Sequence, residues 1–248
     1  MAIKVGIMGA PNTGKSYSRS FLENPEEVVI LASSAKATYL KDNKGKPLQK
    51  LPSMVDMKEL VQKKEHIPGN WAIMPDIESV ESNLKVISSY MPHIKTVIIP
   101  DFTHYISKIL ASESFMKANS GGGAFARFWD LAAASLNAFF LASDSLRDDL
   151  IIVLEFHAEY NDSEEVFQIF VPGGKMLSEK FKPESYFDIM LCTYIDKNDS
   201  GEITPDSYKF ITRKHSYYNA RSMEMITETF IPNNLQTVLS AVRGYFHI

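Results

Sequence analysis

With 248 residues, 45% of them hydrophobic and 23% charged, the chain is long enough to bury a substantial core and has the composition of an ordinary globular protein. A single cysteine, Cys192, excludes an internal disulfide and a cysteine-based zinc cluster, and a formal net charge of −4 removes any bulk electrostatic case for binding a polyanion. The longest apolar stretch, residues 131–142, is too short and interrupted to span a bilayer, and no basic-then-apolar leader precedes the first strand, so a cytoplasmic location without membrane attachment is expected.

Residues 3–8 read as a buried strand, and the eight residues after it organise the chain. Gly9-Ala10-Pro11-Asn12-Thr13-Gly14-Lys15-Ser16 satisfies the phosphate-loop pattern G-x-x-x-x-G-K-[ST] at every fixed position. Residues 17–22 are expected to open a helix, so the loop would aim successive backbone N–H groups and a helix N-terminus at one point, where a triphosphate such as ATP finds donors and a favourable dipole. Gly9 and Gly14 allow close backbone approach. Lys15 is expected to neutralise the β- and γ-phosphates, and to point into an open, solvated loop when no nucleotide is present. Ser16 is expected to offer its hydroxyl to Mg²⁺, and nucleotide contacts are expected from Gly9 through Tyr17.

Residues 26–34 (EEVVILASS) read as a second buried strand, and 41–47 (KDNKGKP) as a turn or mobile loop. Between residues 36 and 66 eight Lys face four Asp or Glu, a local +4 that leaves −8 for the rest of the chain. A single-stranded DNA contact through this segment, with Tyr39 as a stacking surface beside Lys41, Lys44 and Lys46, is the functional reading; a solvated face is the commoner one. A surface helix is predicted over 55–64, a short strand over 71–74, and an amphipathic helix over 77–90 with Val80, Leu84, Ile87 and Tyr90 on one side.

Residues 96–99 (TVII) have the form of a central parallel strand neighbouring the phosphate loop and ending at a ligand-binding edge. Asp101, just beyond it, is the best second acid for Mg²⁺, with Asp76 a weaker alternative; the plain role for Asp101 is to cap a helix over 102–110. Residues 120–123 (SGGG) read as a hinge or loop, and 125–146 as a helix packed on the sheet, apolar nearly all round between Leu131 and Leu141. The clearest strand is 150–156 (LIIVLEF). His157 and Glu159, just past it, are expected at the phosphate-loop edge as γ-phosphate sensor or water-positioning groups, with Glu155 as another acid able to face the nucleotide.

Strands over 166–171, 189–195 and 208–212 suggest an antiparallel extension of the sheet, and a last helix spans 235–245. Arg213, Lys214 and Arg221 can supply positive charge to a phosphate or form a basic turn. The segment from Asp196 (DKNDSGE) matches half of a calcium loop but has Ser207 where the closing Glu belongs, so a solvated turn is expected. The whole pattern predicts a three-layer α/β sandwich with a mainly parallel sheet.

Taken together, GAPNTGKS, KTVIIPDFTHYISKIL, LRDDLIIVLEFHAEY, GGKMLSEK, YKFITRKHSYYNARS and IPNNLQTVLSAVRGYF resemble the phage-encoded ATP-binding proteins of the RecA-like P-loop NTPase superfamily, which are similar to phage single-strand annealing and recombination ATPases. The resemblance covers almost the whole chain. It implies a single RecA-like domain over 1–248 with a Lys-rich insertion at about 36–70, binding of ATP or ADP with Mg²⁺, assembly into a homo-oligomer, and a place in phage DNA recombination or replication. Two departures point to slow hydrolysis: Pro100 stands where relatives place the first of two acids, and the strand after the phosphate loop ends in Ser33 and Ser34 where RecA-type enzymes often carry a catalytic Glu. A small-molecule phosphotransferase, with SGGG and the Lys-rich segment as a lid, and a nucleotide-gated scaffold without turnover are the alternatives.

Overall fold

The structure, a computed structural model, describes residues 1–34, 47, 49–112, 116, 124–197 and 201–248, the side chains of 124–126 excepted. The turn at 41–47 apart from Pro47, the candidate DNA-contact residues Tyr39, Lys41, Lys44 and Lys46, and the SGGG segment lie outside the described residues.

Continuous aliphatic runs make the central strands, because a strand covered on both faces has no polar side to show. Strand β1 (Ile3–Gly9) is buried throughout, as are β2 (Val28–Ala32) and β4 (Thr96–Ile99). The remaining strands are β3 (Trp71–Ile73), β5 (Ile151–Asn161), β6 (Val166–Ile169), β7 (Ile189–Ile195), β8 (Tyr208–Ile211) and β9 (Phe230–Pro232). They form one nine-stranded sheet in the order β3-β2-β4-β5-β1-β7-β8-β9, with β6 paired to β5. From β3 to β7 all neighbours are parallel; β8, β9 and β6 are antiparallel.

Side-chain alternation divides the core in two. Val29, Leu31, Val97, Ile99, Ile152, Leu154 and Phe156 face one way, onto α2 (Ile77–Tyr90), α3 (Phe102–Ala111) and the long helix Ala124–Ser143. Val5, Ile7, Ile30, Ile98, Ile151 and Val153 face the other way, onto Leu235, Val238, Leu239 and Val242 of the C-terminal helix Leu235–Phe246. The first face is aromatic: Phe102 on α3 meets Phe139, Phe140 and Phe156 at ring separations of 5.2, 5.7 and 5.4 Å. Helix–sheet–helix layering on a mainly parallel sheet, with an antiparallel extension, makes the three-layer α/β sandwich that the sequence predicts.

Several local expectations need correction. The helix after the phosphate loop is only a 3-10 turn, Tyr17–Phe21, so it has no macrodipole of consequence. β4 is not next to β1, because β5 lies between them. β5 continues to Asn161 because its far half pairs with β6, which puts His157 and Glu159 inside the strand. β7 pairs parallel with β1 and belongs to the parallel sheet, antiparallel pairing being confined to β6 on β5 and to β8 and β9 beyond β7. On α2 Tyr90 is 54% exposed, and on the long helix Leu141 is 60% exposed while Ala132, Leu136 and Phe140 are buried, so both helices bury a narrower stripe than their composition suggests. The helix predicted over 55–64 is α1 (Met54–Lys63), started by Ser53, whose hydroxyl accepts the Asp56 N–H.

Candidate nucleotide site

The phosphate loop leaves β1 at the carboxyl end of the parallel strands, and its shape is fixed by neighbours on both sides. Register places Gly9 opposite His157 of β5 and Met8 opposite Cys192 of β7, so Thr193 abuts the first glycine. A Cβ at Gly9 would collide with the hydroxyls of Thr193 and Thr13. The two hydroxyls lie 2.5 Å apart, and Thr13 also donates to the Ala10 carbonyl at 2.7 Å, which pins the loop. Gly14 has φ +100 and Asn12 φ 64, left-handed torsions that glycine and asparagine accept at low cost.

Lys15 departs from expectation. Instead of extending into solvent it is 8% exposed, and its ammonium donates to the Gly9 and Ala10 carbonyls at 2.6 and 2.9 Å. Burial lowers its pKa, with Glu155 and Asp101 pulling it back up. A buried cation with no carboxylate in contact takes the nearest carbonyls, and here these belong to its own loop.

Lys15, Ser16, Asp101 and His157 line one cleft of about 670 Å³, together with Pro11, Asn12, Gly14, Tyr17, Ile203, Thr204, Pro205 and Tyr208. Asp101 occupies the N-cap position of α3, yet with φ 51 and ψ 45 its side chain makes no cap hydrogen bond. Its carboxylate instead lies 3.8 Å from His157 Nε2. The His157 backbone N–H donates to Thr103 Oγ1 at 3.1 Å, which ties this point of β5 to the first turn of α3. Burial, then Lys15, pulls the His157 pKa below its ordinary value against the opposing effect of Asp101, so the imidazole is neutral at pH 7.

Other candidates are placed elsewhere. Glu159 accepts from Gln168 Nε2 at 3.0 Å across the β5–β6 hairpin and does not line the cleft. Asp76 caps α2, accepting the Ser79 N–H at 2.8 Å. Arg221 donates to the Glu184 and Phe187 carbonyls, and Arg213 to that of Ile226, so both serve the C-terminal loops. Glu155 is 1% exposed beneath the loop and faces Arg19, whose Nε is 3.3 Å away. Burial raises the Glu155 pKa above its ordinary value while Arg19 opposes the shift.

Arg19, Thr193 and Tyr208 are contributors that sequence reading missed. Arg19 lies on the 3-10 turn where a basic residue usually means a solvated face; its signal is the acid at the inward position of β5, visible only once the register is known. Among the described residues no helix is long and apolar enough to cross a membrane, and no cluster of three or more His, Cys, Asp or Glu is placed to hold a metal.

No protein-family model matches the chain, and no curated protein matches it. Among solved structures the chain is similar to the genome-packaging NTPase of Sulfolobus turreted icosahedral virus 2 in complex with ATP-gammaS, at 12% identity, covering 81% of this chain and 78% of that one, with a TM-score of 0.36. At that level of likeness the reading of the site rests on its own geometry.

Proposed function

We propose that this chain is a RecA-like P-loop protein, one domain over residues 1–248, that binds ATP and hydrolyses it slowly in phage DNA recombination or replication. The observation that carries the nucleotide reading is the convergence of Lys15, Ser16, Asp101 and His157 on one cleft at the carboxyl ends of β1 and β4, beside the middle of β5. Triphosphate entry requires the Lys15 ammonium to exchange two loop carbonyls for phosphate oxygens, and this restores the charge stabilisation that burial removes. Mg²⁺ fits the oxygens present, since neither the Ser16 hydroxyl nor the Asp101 carboxylate is used as a helix cap; the ion would supply charge neutralisation at the β- and γ-phosphates. Neutral His157 can accept a hydrogen bond from an attacking water, with Asp101 orienting the ring. Slow turnover follows from the single acid at the end of β4 and from Glu155 being held by Arg19.

Phosphate release from ATP, measured with and without single-stranded DNA and beside a panel of small phosphate acceptors, tests the proposal. Release stimulated by DNA and indifferent to acceptors is expected. Phosphorylation of an acceptor would make the protein a phosphotransferase, and nucleotide binding with no release would make it a scaffold.

A further inference from the structure

The cleft has two chemically different ends. Lys15 and Asp101 bring charge to one, with the neutral imidazole of His157 3.8 Å from Asp101; Tyr17, Ile203, Pro205 and Tyr208 line the other with aromatic and aliphatic carbon. Tyr17 follows the phosphate loop directly, and Tyr208 opens β8, so the wall joins the first and last thirds of the chain. The two rings lie 5.4 Å apart at 44°. Phe21 meets the edge of Tyr17 at 5.2 Å and 88°, which steadies that ring although it is 38% exposed. Tyr208 lies against the loop itself, because a Cβ on Gly14 would come within 2.8 Å of its ring. Its carbonyl accepts the Asn233 N–H at 3.1 Å, and a Cβ on Gly14 would also come within 3.2 Å of the Asn233 amide, so wall and loop are held in one packing unit.

We infer that Tyr17 and Tyr208, with Ile203 and Pro205, form the seat of the nucleobase, and that this seat selects purine nucleotides by ring face more than by base edge. The inference rests on the phosphate-loop reading, since it is Lys15 that decides which end of a nucleotide lies beside Tyr17. A base laid on aromatic side chains gains stacking energy whatever its edge groups, and a purine covers more of the wall than a pyrimidine. Edge reading needs free donors and acceptors aimed at the base. At this end the Thr204 N–H is already held by Ser207 Oγ at 3.0 Å, and the Thr204 hydroxyl lies 3.4 Å from the same oxygen.

Calorimetric titration of the full chain with ATP, GTP, UTP and inorganic tripolyphosphate tests this. Tyr208→Ala and Tyr17→Ala should each weaken ATP by about tenfold while tripolyphosphate affinity stays within about twofold, and Tyr208→Phe, which keeps the ring, should bind ATP like the parent. GTP should stay within about tenfold of ATP, with UTP weaker than both. Tyr208→Leu, which keeps bulk at the strand edge without a π face, repeats the test should the alanine variant melt early. Equal loss of ATP and tripolyphosphate in both tyrosine variants, no loss in either, or UTP as tight as ATP would overturn the seat. Failure of the underlying reading looks different: Lys15→Met would then leave tripolyphosphate binding intact, or the parent would bind neither ligand.

Discussion

Two junctions in this chain are written with the same dipeptide and do different work. Met74-Pro75-Asp76-Ile77 carries β3 into α2, and Ile99-Pro100-Asp101-Phe102 carries β4 into α3. At the first, Asp76 is extended, with φ −148 and ψ 175, and its carboxylate turns back onto the Ser79 N–H. At the second, Asp101 is left-handed, and its carboxylate is swung away from the helix toward His157. β3 lies at one edge of the sheet, away from the cleft; β4 lies inside it, between β2 and β5, where its end faces the cleft. One residue's backbone torsion thus decides whether an acid is consumed as a cap or delivered to a site. Holding Asp in the left-handed region costs roughly 1 kcal/mol, the kind of strain that persists where surrounding packing over-determines it.

The contrast breaks most sharply in turnover. Asp101→Asn should reduce Mg²⁺-dependent phosphate release by about 100-fold, while Asp76→Asn, which still caps, leaves it unchanged. Steady-state assays on both variants decide this, and a sensitive Asp76 would reverse the assignment. The next effect concerns the buried Arg19–Glu155 pair beneath Asp101. Arg19→Met leaves Glu155 buried without its partner and should cost about 2 kcal/mol at pH 8, less than a typical broken buried pair because a carboxyl can neutralise itself by protonation. Glu155 already has a folded pKa raised above its ordinary 4.5, and the substitution raises it further. A raised folded pKa gives stability that is present below the unfolded value and lost as pH rises through the folded one. Denaturant melts should therefore show the variant closest to the parent at acid pH and furthest from it at pH 8.

The difference between the two junctions was only half legible in the sequence. The strand β4, its apolar run and the acid after it are local features, and they read correctly because a doubly covered strand leaves a continuous hydrophobic signature. That Asp76 caps and Asp101 does not is a torsional fact about each residue, and both stand in the same Pro-Asp dipeptide. The apolar run of β5 stops at Phe156, and pairing with β6 is what keeps the chain extended beyond it to Asn161. The composition of β7 carries no mark of its parallel pairing with β1, since direction in a sheet is set by connections. The motif places Lys15 in an open loop, whereas its buried ammonium takes its acceptors from the Gly9 and Ala10 carbonyls, a contact that no local pattern marks. Tyr208 has no signal near the loop in sequence, and it reaches Gly14 only because β7 delivers β8 alongside it.

A smaller effect separates the two junctions in stability alone. Asp76→Ser keeps a capping oxygen and should be neutral, whereas Asp101→Ser puts serine in a left-handed conformation with no cap to make and should cost about 1 kcal/mol. Asp101→Gly, free of that strain, should lie near the parent. Equilibrium urea unfolding of the three variants checks the set, and an Asp101→Ser variant as stable as the parent would mean that the left-handed torsion is not maintained.

The smallest effect is a pH dependence that belongs to the inner junction only. The His157 pKa lies below its ordinary 6.5, first through burial and then through Lys15, against the pull of Asp101. Between that lowered value and 6.5 the unfolded chain binds the proton that the folded chain refuses, so stability must fall as pH drops through this window and level off below it. With 37% of the side chain exposed, solvent screens much of the interaction, and the drop is expected to be a modest fraction of total stability. His157→Gln keeps a polar group at the site but cannot titrate, so the difference in melting temperature between parent and variant, followed from pH 7.5 to 5.5 without nucleotide, isolates the contribution. The parent should lose more than the variant as the pH falls. A difference of the opposite sign would mean that Asp101 outweighs burial and Lys15 together and that His157 is charged in the folded protein, which would remove it as an acceptor for water.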